Sequence, residues 1–297
     1  MGECILLNKN VPARQLWTWV GAAMSAPLAI CAGNSSWLWT LAVGISCSFL
    51  CLAVLNAGSV GYGKVLRVLQ TVLLAVVAGI FATESSLCWE SDAPMIPMTL
   101  IVLSALSAIG GAERSGRVNC VLIWFLAILY IISLAAGLKD LKIEWIRPSE
   151  HKNESLLTVF LIPAVSALIP HDKGRGKWFV FLLPLFAAVI ALWCAATLSP
   201  ESASRVRLPF YEYSKSLSFL GIAERFEALV SVAITIGLFS LLNLLFSAAE
   251  SMYKNGSLIA GIIAGIIVTQ KVSINPRFVA VGALILWIIV PLLKSRK

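Results

Sequence analysis

The sequence predicts an all-helical integral membrane protein: ten transmembrane helices in two five-helix halves of opposite orientation, with the first and sixth helices broken near their middles. Three observations carry this. Of 297 residues, 59% are apolar and 13% charged, with a mean hydropathy of +0.89, against roughly 25% charged in an ordinary soluble domain. The apolar residues fall into runs long enough to cross a bilayer, separated by charged or Pro/Gly/Asn-rich breaks. The first run of each group of five carries a proline among small residues. The same composition excludes a soluble globule, a disordered chain, a collagen-like repeat and a disulfide scaffold. A formal net charge of +8 favours nucleic acid in a soluble protein, but here it is read loop by loop, and no nucleic-acid partner is expected.

A spanning helix needs roughly 20 apolar residues, with a range of about 17 to 25. Cut at its breaks, the chain gives Leu16 to Ala32, Trp37 to Leu55, Val65 to Thr83, Met95 to Gly111 and Val118 to Leu138, then Leu156 to Ile169, Trp178 to Leu198, Ala228 to Ala249, Gly256 to Thr269 and Phe278 to Leu293. The first repeat is thus 16–138 and the second 156–293 of a single membrane domain, 1–297; the sixth and ninth segments are short for straight spans. Lys and Arg are retained on the cytoplasmic side of short loops. A cytoplasmic amino terminus places Lys9, Arg14, Lys64, Arg67, Arg114, Arg117, Lys173, Arg175, Lys177, Lys254, Lys294, Arg296 and Lys297 inside. The short outer breaks, Ser35 to Ser36 and Glu84 to Pro94, carry no basic residue. Both termini are expected inside. Met1 to Asn10 lacks the features of a signal peptide, and Leu6 stands where a myristoylation signal wants Ser or Thr, so the first run is expected to remain in the mature chain.

Cys31, Cys47, Cys51, Cys120 and Cys194 lie in or beside apolar runs, where thiols act as small hydrophobes. Cys47 and Cys51 share a helix face, but no histidine or second cysteine pair accompanies them, so no metal is expected. His151 and His171 sit in loops beside charges, and neither a Ser-His-Asp spacing nor a Gly-rich phosphate loop recurs. No enzyme and no cofactor is expected.

The broken helices carry the candidate site. Gly21 to Pro27 and Phe160 to Ser166 are small-residue segments around Pro27 and Pro163. Proline removes a donor and clashes with the preceding turn, freeing carbonyls that must find a partner in lipid. In an inverted repeat such segments meet at the midplane and hold a ligand; the competing reading is two simple kinks. Backbone at Ala22, Ala23, Met24, Ser25 and Ala26, and at Ile162, Pro163, Ala164 and Ser166, is the first choice for ligand contact, unless the two serines bond back to their own helices. Glu227, Ser231 and Thr235 on span eight are added for the ligand, and Ser240 and Asn243 for a cation or a gate. Glu227 pairing near Arg225, and helix-to-helix hydrogen bonding by the hydroxyls and Asn243, are the alternatives. Glu113 and Arg117 are i, i+4 partners, read as an ion pair or a gate. Gly261 and Gly265 suit close helix contact. The 199–222 stretch, with Phe210, Tyr211 and Tyr213, reads as an extracellular loop, either an interfacial helix or an aromatic-anchored turn.

Several segments together resemble the spore germination permease family, the membrane B subunit of germinant receptors, within the amino acid, polyamine and organocation transporter superfamily. Ala13-Arg14-Gln15-Leu16, the small-residue run to Pro27, and Ala32, Trp37 and Leu38 match its polar-flanked Gln, broken first helix and Trp-opened second. Gly111-Ala112-Glu113 with Arg117-Val118 matches its Gly-x-Glu-x-x-x-Arg element, and Glu224-Arg225-Phe226-Glu227 is similar to its Glu-Arg-Leu-Glu signature. The resemblance implies the ten-helix leucine-transporter fold with a pocket between spans one, three, six and eight. It also implies a subunit in the inner spore membrane of an endospore former that binds a small nutrient, an amino acid first of all, and signals to A-type and C-type partner subunits. The alternatives are a secondary transporter of amino acids or amines coupled to H⁺ or a cation, and an assembly subunit that binds nothing. Val118 to Leu138 contains no lysine of the kind that serves proton coupling in this superfamily, which favours the receptor.

Overall fold

The computed structural model describes residues 11–57, 62–90, 93–148, 150–172, 176–216 and 226–295. Its helices are α1 (Ala13–Ala32), α2 (Trp37–Ala57), α3 (Lys64–Cys88), α4 (Met95–Ile109), α5 (Ala112–Ala136), α6 (Ser155–Leu161), α7 (Leu182–Leu198), α8 (Pro200–Arg205), α9 (Pro209–Lys215), α10 (Phe226–Met252), α11 (Gly256–Thr269), α12 (Pro276–Ala283) and α13 (Val290–Ser295). A 3₁₀ segment, Ile162–Leu168, extends α6, another, Lys177–Phe181, leads into α7, and a π segment, Leu284–Ile289, joins α12 to α13. Helices dominate because hydrocarbon offers no partner to an exposed N–H or C=O, so each span must satisfy its own backbone.

Among the described residues, six helical stretches, Trp37–Ala57, Lys64–Cys88, Ala112–Asp140, Lys177–Leu198, Phe226–Met252 and Pro276–Ser295, are long and apolar enough to cross a membrane. Met95–Ile109, Ser155–Leu168 and Gly256–Thr269 are shorter apolar helices. The chain is built as a multi-pass membrane protein. The outer face of α5 shows why: Val121, Trp124, Ile128 and Ile131 are all exposed, a patch that water would penalise and lipid tails accept.

The centre of the bundle is α1, which packs against α10, α5, α7 and α6. Fifteen of its side chains are buried. Since lipid gives helices no hydrophobic reason to associate, close backbone approach between small residues does the work. At Gly237 on α10, an added Cβ would lie 2.6 Å from Ser25 Oγ and 2.7 Å from Ala26 Cβ of α1. Gly261 and Gly265 of α11 similarly face Ala105 and Met98 of α4, so they serve internal packing.

Contacts define two ends. At the amino-terminal end, Val11 N donates to Pro170 O and Asp172 N to Val11 O, Lys177 Nζ reaches Leu55 O, and Tyr253 hydroxyl reaches Lys64 O. At the opposite end, Asn153 Nδ2 donates to Cys31 O at 2.9 Å and to Asn34 Oδ1 at 2.7 Å, and Glu154 pairs with Arg277.

The helices depart from expectation at some places and follow it at others. Span one is not broken: α1 is one α-helix through Pro27, packed against α10, α5, α7 and α6. Span six does change, from α to the tighter 3₁₀ form at Ile162, where Pro163 has no donor to give the α ladder. Span three is longer than its apolar run, so Glu84 lies inside α3 and not in a loop; likewise Glu113 and Arg117 lie inside α5. Of 199–222, the described part forms α8 and α9, and Phe210, Tyr211 and Tyr213 are buried in protein, with Tyr213 hydroxyl on Ser133 O at 2.7 Å. The aromatics of this stretch are thus anchored in protein. Met1 to Asn10, Asp92, Lys173, Arg175, residues 217–225 with Glu224 and Arg225, Arg296 and Lys297 lie outside the described residues.

Candidate functional site

Where α1 meets the 3₁₀ segment, Ala22, Ala23, Met24 and Ala26 are fully buried, as are Ile162 and Ser166, with Pro163 and Ala164 buried beside them. Their polar atoms are largely committed. Ser25 Oγ donates to Ala22 O at 2.7 Å, and Ser166 Oγ to Pro163 O at 2.6 Å. Both serines therefore take the back-bonded arrangement. Tyr130 hydroxyl donates to Ser25 O at 3.2 Å, a tie from α5 that no sequence pattern announces. Cys51 Sγ donates to Phe160 O, which accounts for it as a packing residue.

Span eight, α10, divides in two. Its half nearer the opposite end docks on α3: Ser231 Oγ donates to Cys88 O at 2.8 Å, and Trp89 Nε1 donates to Thr235 Oγ1 at 2.9 Å. Glu227 is half-buried in the first turn. The following half carries Ser240, Asn243 and Ser247, spaced to share one helical face. All three are buried, and among the described residues Ser240 Oγ, Ser247 Oγ and both amide atoms of Asn243 lack a hydrogen-bond partner. Gln15 Oε1 of α1 and Asn119 Oδ1 of α5 are unpartnered as well. A buried polar group left unpaired costs about 1–3 kcal/mol, so an ion, water or ligand group would be held favourably at this stripe. Glu113 and Arg117 meet at 2.6 Å with Arg117 largely exposed, and α5 opens on Gly111 at φ 98°, a left-handed geometry that favours glycine.

The sequence reading missed one feature. Glu84 accepts from Arg207 Nη2 at 2.9 Å, and its side chain is only 14% exposed. Its second oxygen, Oε2, is buried without a partner. Arg207 comes from the α8–α9 connection. A cavity of about 220 Å³ lies against this pair, lined also by Ser155 and Thr158 of α6 and by apolar residues of α3, α11 and α12. The available signal was helical phase: Glu84 follows Val65 to Thr83 without a breaker, so the helix had no reason to stop at that carboxylate.

No protein-family model matches the chain, and no curated protein matches it. Among solved structures, MhsT in complex with L-phenylalanine aligns with a TM-score of 0.59 over 97% of this chain and 89% of that one, at 14% identity. The chain has the leucine-transporter type of fold. At this identity the agreement concerns how the helices are arranged and not which side chains fill the centre.

Proposed function

We propose that this protein is a membrane carrier that binds a small amino acid or amine at its centre and moves it with H⁺ or a cation. The observation that carries the reading is the meeting of α1, the 3₁₀ segment after α6, and α10 at the heart of a fold shared with a protein solved with L-phenylalanine bound. The spans would be ten, α1 to α7, α10, α11 and the α12–α13 stretch, in two inverted repeats, 16–138 and 156–293, with both termini cytoplasmic. Backbone at Ala22 to Ala26 and Ile162 to Ser166 would receive the ligand once these helices part. The stripe of Ser240 and Asn243 would take the coupling ion, and Glu227, Ser231 and Thr235 would line the way in. Glu113 and Arg117 would close the cytoplasmic end. The chain performs no covalent chemistry in this reading.

Ligand energy acts by favouring one arrangement of these helices over the other. Purified protein in liposomes should take up a radiolabelled amino acid and lose uptake when the ion gradient is collapsed. No gradient-dependent flux with any of the twenty amino acids or simple amines would sink the carrier reading.

A second reading is favoured by the Gly111-x-Glu113-x-x-x-Arg117 element, which forms a glycine-dependent helix start with an ion pair behind it. There the chain is a germinant-receptor B-type subunit of an inner spore membrane, sensing a nutrient for A-type and C-type partners, or a subunit that only assembles them. Co-purification with such subunits, with binding but no flux, would select the sensor; co-purification without binding would select the assembly role.

A further inference from the structure

We propose that the helix running from α12 to α13 is a two-register switch, and that the Gln70 side chain of α3 selects its register. The proposal goes beyond the carrier reading and stands without it, since it concerns which hydrogen bonds this helix makes and not what the protein binds.

Pro291, buried near the start of α13, has no N–H to give. In an α-helix each N–H bonds the carbonyl four residues back, and in a π-helix the carbonyl five residues back. The missing donor therefore strands Trp287 O in an α register and Leu286 O in a π register. One carbonyl is lost either way. The backbone alone leaves the two registers matched at this proline, so a group from outside the helix decides between them.

The structure takes the π choice. Leu284–Ile289 is π, and Val290 N donates to Ile285 O, five residues back. That bond removes the donor which Leu286 O would have in an α register. The carbonyl is met instead by Gln70 Nε2 at 3.2 Å. Gln70 is fully buried on α3, inside a span where hydrocarbon supplies no water to a stranded carbonyl. An amide placed at Leu286 O therefore favours the π register over the α one.

The neighbours make the register matter. The π segment packs against α6 and the 3₁₀ segment after it, as well as against α2 and α3. A turn wider than α thus lies against one tighter than α, and each has a proline in it or just beyond it, Pro163 and Pro291. On one side of the π segment α12 is packed on α6, with Arg277 paired to Glu154, and on the other α13 is packed on α2. Leaving the π register turns α12 relative to α13 by about 100°, one residue's share of a turn. The turn changes the face that α12 lays on α6. Gln70 is therefore a positioning residue: by holding one carbonyl it fixes how the end of span ten meets span six.

The test is pulsed electron resonance on the full-length protein in nanodiscs, in a background carrying Cys4→Ser and Cys120→Ser. One label pair, Phe278→Cys with Met95→Cys, follows α12, and a second, Leu293→Cys with Val65→Cys, follows α13; all four positions are exposed. The otherwise unchanged protein should give one distance in each pair. Pro291→Ala supplies Trp287 O with a donor and completes the α register, so one pair should shift by about 5 Å or more, the displacement a turn of about 100° gives an exposed label. Gln70→Leu strands Leu286 O without helping Trp287 O and should show both distances. Distances in Pro291→Ala that match the unchanged protein in both pairs overturn the switch, and a single unshifted distance in Gln70→Leu overturns its selection by Gln70. Thermal unfolding of the unlabelled variants gives a second measurement. Gln70→Leu should lower the melting temperature by about 2 °C or more in the wild type, and should leave it unchanged or raise it in Pro291→Ala, where Leu286 O no longer needs the amide. Equal falls in both backgrounds would make Gln70 an ordinary buried amide and overturn the proposal. Neither ligand nor flux enters these measurements, so the switch and the carrier reading fail separately.

Discussion

Gly237 shows how much one residue decides in this bundle. Its lack of a side chain lets α10 reach the backbone of α1 at Ser25 and Ala26. Gly237→Leu should therefore lower the melting temperature sharply, by an amount corresponding to about 1–3 kcal/mol of overpacking, measurable by thermal unfolding in detergent. Pro27 makes the complementary case. Because α1 is already helical through it, Pro27→Ala restores a donor, and the melting temperature should rise; an unchanged or lower value would mean that the proline is better tolerated than a helix interior allows, where it costs about 3 kcal/mol relative to alanine. If the carbonyl freed by Pro27 serves the ligand, the same variant binds more weakly while melting higher. Ser25 was legible as a polar residue in an apolar run, but its use was not: its carbonyl is taken by Tyr130 and its hydroxyl by Ala22, choices made by a residue 105 positions away and by the local turn.

Helices α1 and α6 are tied at both ends, and the ties differ in kind. At the amino-terminal end they are backbone bonds between Val11 and the Pro170 to Asp172 stretch, which single substitutions do not remove. At the other end the tie rests on Asn153, whose amide bridges Cys31 O and Asn34. Asn153→Ala should cost about 1–3 kcal/mol by stranding these acceptors and should speed hydrogen exchange at the end of α1 and the start of α6, leaving the Val11 end protected. The outer cover has its own pH signature. Hydrogen bonding and charge from Lys215 hold the Glu90 carboxyl below the usual carboxylate range, and Arg277 does the same for Glu154. A lowered native value means the contribution is complete above the unfolded carboxylate range and is lost as pH falls through the lowered value. Hydrogen exchange in α9 and at the start of α12 should therefore be flat from neutral pH down to about 5, once corrected for intrinsic rates, and rise only below about 4. A rise near pH 6 would contradict these pairs. The α8–α9 cover was half legible, its aromatics pointing to an anchor but not to a buried one, since burial depends on Ser133 of α5 accepting from Tyr213.

For the whole molecule, the expected behaviour is that of a bundle holding its centre closed until a ligand opens it. A ligand bound only by the folded state stabilises it by about 2.7 kcal/mol at one hundred times its dissociation constant, so saturating amino acid should raise the melting temperature of the wild type. By itself the sequence determined the solvent in which the chain folds, the helical class and the six stretches long and apolar enough to cross a membrane, because hydrophobic runs and their charged breaks are local properties that the bilayer reads directly. Local pattern also put Ser240 and Asn243 on one face of a helix, where the structure buries both, since polar residues at helical spacing in an apolar run are visible without a partner. Tertiary structure alone decided that Pro27 kinks nothing apart, that Ser231 and Thr235 face α3, and that Glu84, Thr158 and Arg207 share one cavity. Those outcomes depend on which backbone approaches which, and in a membrane that choice rests on close packing and hydrogen bonds between distant segments, which no stretch of sequence carries on its own.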